Sequence, residues 1–280
     1  MSLKNFARDA CPPALWRLAS KLNRRRAQPS QAGDTITFSG DYASWEAAER
    51  DSGGYAAPEI LAKTRAALLK VKNGEAAYER DSVTFDAIEH EFPLLAGLLR
   101  ATEANAGGLS VLDFGGALGN SYFQCRSFLA VVRELRWSVV EQPAHVACGR
   151  SEFANDQLRF YSNIEECLRV EKPNVLLLSG VIQYLPKPYE FLADALRHEF
   201  DYVIIDRTAF MRDGRERLTV QHVPEWIYKA SYPAWFLSKN VVTAKFHARY
   251  DLLAEFQALD TAQPEQREAD YLGFIFERKK

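Results

Sequence analysis

The sequence predicts an α/β fold built on a mainly parallel sheet with helices on both faces. From residue 109 onward, short and fully apolar runs alternate with helical stretches. Strands that are apolar throughout are typical of parallel sheets covered on both faces. The 280 residues are 47% hydrophobic and 26% charged, which is the composition of globular chains. Collagen-like, disulfide-knot and wholly disordered chains are therefore excluded.

The predicted elements follow one another along the second part of the chain. Five apolar runs are predicted as parallel strands, at 109–114, 137–140, 158–161, 175–178 and 202–205. Four stretches are predicted as the helices between them, at 123–135, 144–155, 164–170 and 189–198. A long polar loop is expected over 206–233. The segments 252–259 and 271–277 are close in sequence, so they are expected to pair antiparallel at the end of the chain.

A helical N-terminal segment is predicted ahead of this sheet. Residues 35–54 are expected to form a structured loop that leads into a short helix at 44–50. Apolar residues at helical spacing predict helices at 58–72 and 84–101. We therefore divide the chain into a basic arm and linker (1–34), a helical N-terminal cap (35–108) and an α/β domain (109–280).

Positive charge is concentrated in the first 26 residues. The whole chain has 35 Lys and Arg against 37 Asp and Glu, a net charge of −2, which argues against general nucleic-acid binding. The arm carries seven cations and one acid, with Leu15, Leu18 and Leu22 at helical spacing. Two interpretations stay open: a loosely packed or disordered extension, or an amphipathic helix that contacts the inner face of an anionic membrane.

Cysteine spacing and hydropathy give an expected compartment. No run of 18 apolar residues is present, so no transmembrane helix is expected. The four cysteines are far apart: Cys11, Cys125, Cys148 and Cys167. They are expected to be free thiols of a cytoplasmic protein. No Cys or His pair has the spacing of zinc ligands, so no metal site is expected.

The candidate chemistry centres on the segment VLDFGGALGNSYF, residues 111–123. An apolar strand ends in Asp113, and three glycines follow before a helix opens: Gly115, Gly116 and Gly119. Glycines allow a sharp turn and a close approach of a ligand to the main chain. The spacing does not match G-x-G-x-x-G, because Ala117 and Asn120 stand at glycine positions, and a carboxylate here would repel pyrophosphate. A dinucleotide is therefore disfavoured.

A second acid follows the next predicted strand. Glu141 lies 22 residues after Gly119, where an acid in a doubly wound sheet accepts both ribose hydroxyls. Asp113 suits an ammonium group, directly or through water. Two acids that flank a glycine turn match a nucleoside ligand with an amine, a sulfonium and no phosphate, which is S-adenosylmethionine. The alternative is an ordinary strand–helix turn with a solvated glutamate.

These segments resemble class I S-adenosylmethionine-dependent methyltransferases and, more narrowly, a bacterial family of methyltransferases of undefined substrate. The matching segments are FSGDYASW (38–45), GEAAYERDSV (74–83), VLDFGGALGNSYF (111–123), WSVVEQP (137–143), LLLSGVIQYLPKPY (176–189), IIDRTAF (204–210) and YPAWF (232–236). The resemblance covers residues 36–278. Ala117 departs from the general motif D-x-G-x-G-x-G, which narrows the approach of the cofactor.

The resemblance carries expectations about fold and site. It implies that residues 109–280 form a Rossmann-like methyltransferase domain, with a seven-stranded sheet and a reversed terminal hairpin. It also implies that Glu141 and Gln142 lie at the cofactor, and that Ser179 and Gly180, after the fourth parallel strand, line its methionine side. The acceptor substrate stays open.

Other polar residues that follow predicted strands are candidates, because ligands bind at the carboxyl ends of strands in open α/β sheets. Asn163 is expected at the adenine edge. Arg80 is either a partner of the cofactor's carboxylate or part of a local ion pair that caps a helix. Tyr184 and Tyr228 are expected either to shape the acceptor pocket or to pack in the core. Asp206 and Arg207 are expected either to contact the acceptor or to form an intramolecular ion pair. His222 is either the base for a hydroxyl acceptor or a histidine without a chemical role.

The sequence therefore predicts a methyltransferase that uses S-adenosylmethionine. The expected acceptor is a small molecule, or a saccharide or lipid-linked precursor, methylated at oxygen. Two alternatives from other classes stay open: a non-catalytic binding module on the same scaffold, and an NAD-dependent oxidoreductase, against which the glycine spacing counts. The sequence does not indicate an oligomeric state.

Overall fold

The computed structural model describes residues 35–54, 58–260 and 268–280. Residues Thr37–Lys280 form one unit by their internal contacts. The predicted basic arm with its membrane contact, the linker and Cys11 all lie outside the described residues. Among the helices described, none has the length and apolar character needed to cross a membrane.

The described elements alternate along the chain. The strands are β1 (Thr37–Ser39), β2 (Tyr78–Arg80), β3 (Val83–Phe85), β4 (Gly108–Phe114), β5 (Glu134–Val140), β6 (Leu158–Tyr161), β7 (Val175–Ser179), β8 (Tyr202–Met211), β9 (Arg217–Val223), β10 (Ala230–Phe236), β11 (Tyr250–Gln257) and β12 (Ala269–Arg278). The α-helices are α1 (Trp45–Arg50), α2 (Pro58–Lys72), α3 (Phe92–Ala104), α4 (Asn120–Cys125), α5 (Pro143–Glu152), α6 (Ile164–Leu168), α7 (Pro188–Ala195) and α8 (Lys239–Ala244).

A seven-stranded sheet forms the centre, in the order β11-β12-β8-β7-β4-β5-β6. Strands β4 to β8 pair in parallel, while β12 runs antiparallel to both β8 and β11. The prediction of a mostly parallel, Rossmann-like sheet with a reversed terminal hairpin is confirmed. The strand order reverses between β4 and β7, and such a switch point is where open α/β sheets bind ligands.

The parallel strands are apolar throughout because both faces of the sheet are covered. Val111 packs with residues of α2 to α5 on one face, and its neighbour Leu112 packs with residues of α6 to α8 on the other. Both side chains are fully buried. Burying an aliphatic side chain of this size is worth about 1.5–3 kcal/mol, so the two covered faces are the main source of stability for the sheet.

The prediction of a long loop over 206–233 is wrong. Strand β8 continues past Asp206 to Met211, and β9 and β10 pair antiparallel in a second sheet of order β1-β9-β10. Helix α1 packs on one face of this sheet, against Leu218 and Val220. The second half of β8 follows a bulge, and β9 and β10 contain polar residues. These segments therefore lack the continuous apolar run that identified the other strands.

Two predicted helices are also shorter than expected. The helix predicted over 123–135 ends at Cys125, is followed by a single 3₁₀ turn at Leu129–Val131, and gives way to β5 at Glu134. The helix predicted over 84–101 begins only at Phe92, because Pro93 occupies its first turn and disfavours helical backbone before it. The N-terminal segment 35–108 thus contains helices, as predicted, and also β1, β2 and β3; its role as a cap stays a prediction.

Gly273 lies where β12 shifts register against β8, and it is paired with Phe256 of β11. A Cβ at this position would stand 2.2 Å from Cζ of Phe256 and 2.9 Å from the carbonyl oxygen of Ile205. Because backbone cannot yield as a side chain can, we expect Gly273→Ala to lower the free energy of unfolding by about 1–3 kcal/mol in urea titrations. Gly53→Ala is the control, since its Cβ would come no closer than 3.7 Å to Ser231. Equal stability of the two variants would contradict this packing.

Candidate functional site

The glycine turn follows β4, one of the two strands at the switch point of the sheet. Gly115 follows β4 with a φ of +72°, and its N–H donates to the carbonyl of Val140 at 2.9 Å. A Cβ on Gly115 would stand 2.3 Å from Cγ2 of Val181, which follows β7. The turn is therefore held between the carboxyl ends of three neighbouring strands.

The other two glycines of the turn also meet protein atoms. A Cβ on Gly116 would stand 2.4 Å from Oδ2 of Asp113. Gly119 caps α4 with a φ of +95°, and a Cβ there would stand 2.9 Å from Leu158. Packing thus explains why these positions are glycine, and contact with a ligand stays a prediction.

Asp113 lies directly beneath this turn and is 1% exposed. Its Oδ2 accepts a hydrogen bond from Nε1 of Trp137 at 2.9 Å. Burial raises the pKa of Asp113 to about 7, the Trp137 N–H opposes this rise, and the charge of Glu141 adds to it. An effect of this carboxyl group on a ligand stays a prediction.

Glu141 follows β5 and turns its carboxylate toward the same turn. The side chain is 8% exposed and accepts a hydrogen bond from the N–H of Gln142. Burial raises the pKa of Glu141 to about 7, against the N–H groups of Gln142 and Ala117. Ala117 has a φ of +50°, a conformation that favours glycine, and the carboxylate helps to hold it. The structure brings Asp113, Glu141 and the turn together; their ligand contacts stay predictions.

Two buried polar atoms beside the turn have no hydrogen-bond partner among the described residues. Nη1 of Arg80 lies 3.7 Å from Oε2 of Glu89, beyond hydrogen-bonding distance, and Oδ1 of Asn120 is unpaired at the first residue of α4. Strand β2, which carries Arg80, packs against α4. The unpaired Nη1 of Arg80 is consistent with its predicted role at the carboxylate of the cofactor. The ion pair that the structure contains joins Arg80 to Glu89, in the loop between β3 and α3.

Arg207 lies at the centre of an ion-pair network in β8. Its Nε donates to Oδ2 of Asp260 at 2.6 Å, and its Nη2 donates to Oδ2 of Asp81 at 2.7 Å. Its backbone N–H donates to Oδ1 of Asp206 at 2.9 Å. Burial lowers the pKa of Arg207, but the carboxylates of Asp260 and Asp81 outweigh burial and raise it well above its ordinary value. The guanidinium of Arg207 therefore forms intramolecular ion pairs, but with Asp260 and Asp81, while Asp206 contacts its backbone N–H. Contact of Asp206 and Arg207 with a substrate stays a prediction.

Further carboxyl groups are buried around this network. Burial raises the pKa of Glu79 to about 8, of Glu91 to about 7 and of Asp206 to about 6. The charges of Asp113, Asp206 and Glu91 all act on the buried thiol of Cys125 and, with burial, raise its pKa. Within the part of the chain that the structure describes, the buried carboxyl groups at this edge of the sheet outnumber the cations Arg80 and Arg207.

A chain of uncharged side chains connects β7 to the second sheet. The hydroxyl of Tyr184 donates to Oε1 of Gln221 at 2.9 Å, and Nε2 of Gln221 donates to the hydroxyl of Tyr232 at 3.1 Å. The hydroxyls of Tyr232 and Tyr228 are 3.3 Å apart. We call these four residues the tyrosine chain. It contains both tyrosines that were predicted at the acceptor.

His222 does not join these groups. Side chains alternate along a strand, so His222 points to the opposite face of β9 from Gln221. It is exposed there, with Nε2 at 2.8 Å from Oγ of Ser39. This placement does not support its predicted role as a base.

The remaining predicted residues have structural roles. Asn163 caps α6, its Oδ1 accepting the N–H of Glu166 at 2.7 Å. Gln142 is exposed at the start of α5. Ser179 donates to Oδ2 of Asp206 at 3.3 Å, and the N–H of Gly180 donates to the carbonyl of Asp206 at 2.9 Å. Their cofactor contacts stay predictions. Cys125, Cys148 and Cys167 are free thiols.

Sequence reasoning did not select several residues of this region as site residues. They are Glu79, Glu91, Asn120, Gln221, Tyr232 and Asp260. Asn120 directly follows the glycine turn, so position along the chain could have identified it. Glu79, Gln221 and Tyr232 lie in β2, β9 and β10, strands that the sequence did not predict. Glu91 is the N-cap of α3, and Asp260 follows β11.

The comparisons with known proteins give distant structural likenesses. No protein-family model matches the chain, and no curated protein does. The chain is similar to the N-terminal domain of EvdMO1, solved in the presence of SAH and D-fucose (13% identity, 72% of this chain, 90% of that chain, TM-score 0.48). It is also similar to the 1,6-didemethyltoxoflavin-N1-methyltransferase of Burkholderia thailandensis (15% identity, 91% of this chain, 100% of that chain, TM-score 0.41). A third likeness is to CalS10 of Micromonospora echinaspora, an amino pentose methyltransferase (13% identity, 68% of this chain, 92% of that chain, TM-score 0.42).

Replacing Asp113 tests the electrostatics of the turn. The pKa of about 7 lies above the ordinary value of 3.8, so the folded protein keeps a proton that the unfolded chain releases as pH rises from about 4 to 7. The contribution of this group to the free energy of unfolding therefore falls over that range. We therefore expect the free energy of unfolding, measured by urea titration, to fall less between pH 5 and pH 8 for Asp113→Asn than for wild type. The difference should be about 1–3 kcal/mol.

Asp156→Asn is the matched control, because Asp156 is exposed, and it should follow wild type at both pH values. Parallel profiles of wild type and Asp113→Asn would contradict the assigned burial.

Proposed function

We propose that this protein is a methyltransferase that uses S-adenosylmethionine. The observation that carries the proposal is the excess of buried carboxyl groups around the glycine turn at the switch point. Ionised carboxylates are costly to bury without a counter-charge, and a ligand with an ammonium and a sulfonium supplies that charge. Their raised pKa values identify this edge of the sheet as a place where a cation is favoured.

The unpaired atoms beside the turn fit the same ligand. In this proposal Nη1 of Arg80 donates to the carboxylate of the cofactor, and Oδ1 of Asn120 accepts from its ammonium. Glu141 accepts the ribose hydroxyls at the end of β5. One free donor beside a free acceptor is what an amino acid end group requires, which supports placing the methionine part near α4.

The side chains contribute orientation and exclusion of water. When bound, the cofactor supplies a methyl group on a positively charged sulfur. Asp113 and Asp206 are buried, so their charges act in a medium of low dielectric constant. The tyrosine chain joins the 3₁₀ turn after β7 to the second sheet, and in this proposal it holds an acceptor in a fixed orientation.

We propose a small molecule, or a saccharide or lipid-linked precursor, as the acceptor, with methylation at oxygen. The uncharged hydroxyl and amide groups of the tyrosine chain support a hydroxyl acceptor. A dinucleotide oxidoreductase is disfavoured, because the carboxyl groups of Asp113 and Glu141 would face a pyrophosphate at the turn.

Removing the carboxylate of Glu141 tests the cofactor site. We expect calorimetry with S-adenosylhomocysteine to show binding to wild type and about a 10- to 100-fold loss of affinity in Glu141→Ala, the value of charged hydrogen bonds to two hydroxyls. Glu59→Ala, an exposed glutamate at the start of α2, is the control and should bind as wild type does. Binding of NAD in place of S-adenosylhomocysteine, or an unchanged affinity in Glu141→Ala, would refute the assignment.

The preference for a cation should depend on pH. A positive sulfur favours the ionised form of carboxyl groups whose pKa values are about 6 to 8. Binding of S-adenosylmethionine should therefore release protons near pH 7, and its affinity relative to the neutral thioether S-adenosylhomocysteine should increase from pH 6 to pH 8. Calorimetry in two buffers of different ionisation enthalpy measures this release. A ratio of affinities that is constant with pH would show that these carboxyl groups do not sense the sulfonium.

A further inference from the structure

Gln183 presents a buried amide oxygen that has no hydrogen-bond partner among the described residues. The residue lies in the 3₁₀ turn Ile182–Tyr184 after β7 and is 3% exposed. Its Nε2 donates to the carbonyl of Arg207 at 3.0 Å. Because a carbonyl oxygen only accepts, this contact fixes the orientation of the amide. Oε1 is therefore the atom left unpaired, at a cost of about 1–3 kcal/mol unless a donor reaches it.

The backbone that anchors Gln183 is itself held in place. Arg207 has a φ of +52°, which is strained for a residue with a side chain, and β8 shifts register against β12 at this point. The ion pairs of Arg207 with Asp81 and Asp260 fix it from two sides. Bulges of this kind re-aim groups next to functional sites. The orientation of the Gln183 amide is thus preorganised before any ligand binds.

The tyrosine chain begins at the residue after Gln183. The rings of Tyr184 and Tyr232 meet edge to face, with centroids 5.4 Å apart, and Gln221, Tyr228 and Tyr232 are all buried. The chain combines aromatic rings with hydroxyl and amide groups and carries no charge. Side chains of this kind pair with hydroxyl groups and with the C–H faces of a ring.

The charges near the tyrosine chain are unfavourable for an anion. Arg207 is already paired with Asp81 and Asp260. Burial raises the pKa of Tyr228, and the carboxylates of Asp81 and Glu79 add to that rise, with Arg207 opposing it. A phosphate or carboxylate brought here would meet the charges of Asp81 and Glu79, and the guanidinium of Arg207 is already occupied by two carboxylates. The ligand group is therefore uncharged.

We propose that Gln183 and the tyrosine chain form the acceptor subsite for an uncharged saccharide or polyol, one of whose hydroxyls donates to Oε1 of Gln183. The proposal rests on the proposed methyltransferase function, and it adds the substrate class and the residue that orients the hydroxyl. Gln183 is a positioning residue in this assignment, since it exchanges no proton.

Saturation-transfer NMR on the full chain with S-adenosylhomocysteine present tests the subsite. The probes are a panel of methyl glycosides of common hexoses and deoxyhexoses, the corresponding sugar phosphates, and amino sugars. We expect at least one methyl glycoside to bind wild type, with at least tenfold weaker binding to Gln183→Met. Gln257→Met, which replaces an exposed glutamine of β11, is the control and should bind as wild type does.

The outcomes separate the subsite from the cofactor site. Gln183→Met should keep the wild-type affinity for S-adenosylhomocysteine, a result that a general loss of structure would not give. If Gln183→Met does not fold, Tyr228→Phe tests the same subsite. This variant leaves the hydrogen bond between Gln183 and the Arg207 carbonyl intact, and it should also weaken glycoside binding. The proposal is overturned if only sugar phosphates or only amino sugars bind, if no glycoside binds, or if neither variant weakens binding. Failure of wild type to bind S-adenosylhomocysteine would instead refute the proposed function.

Discussion

The cost of burying carboxyl groups constrains the whole carboxyl edge of the sheet. Asp113 has the Trp137 indole as its hydrogen-bond donor, and Glu141 relies on backbone N–H groups of the turn. Among the described residues, neither carboxyl group is paired with an arginine or lysine; the base nearest to Glu141 is His145, with Nδ1 at 4.0 Å, whose pKa is lowered by burial. Hydrogen bonds lower the cost of a buried charge but do not neutralise it. The pKa values of Asp113 and Glu141, near 7, reflect the remaining cost of ionising these buried groups. A cationic ligand would offset that cost.

Arg207 shows how the same edge distributes its limited positive charge. The guanidinium joins Asp81 of the β2–β3 hairpin to Asp260, which follows β11, so segments far apart in sequence are tied to β8. These pairs hold a backbone conformation that would otherwise be strained, and the carbonyl so placed orients Gln183. This cation is used for structure and the neighbouring tyrosine chain is uncharged. That difference separates the acidic side, which we propose for the cofactor, from the neutral side, which we propose for the acceptor and call the acceptor side.

The central sheet could be predicted because its signal is local. Each parallel strand is a short apolar run, since both faces are covered, and the closeness of Asp113 and Glu141 follows once β4 and β5 are neighbours. Asp260 illustrates what could not be predicted. Its contact with Arg207 depends on a bulge in β8, and no pattern of apolar residues identifies a bulge. The orientation of the Gln183 amide depends on the same bulge, so it too is a property of tertiary structure.

Gln221 and His222 show why the second sheet decides the chemistry of the acceptor side. The two residues are adjacent, and both are polar. When the segment 206–233 is interpreted as a loop, nothing in the sequence indicates which of the two faces the site. Once β9 pairs with β10, alternation sends Gln221 toward Tyr184 and Tyr232 and sends His222 to the face that carries α1. A shift of one residue in the register would exchange them and would replace an uncharged amide by a titratable imidazole. The neutral character of the acceptor side is therefore set by strand pairing, and the identity of the single residue follows from it.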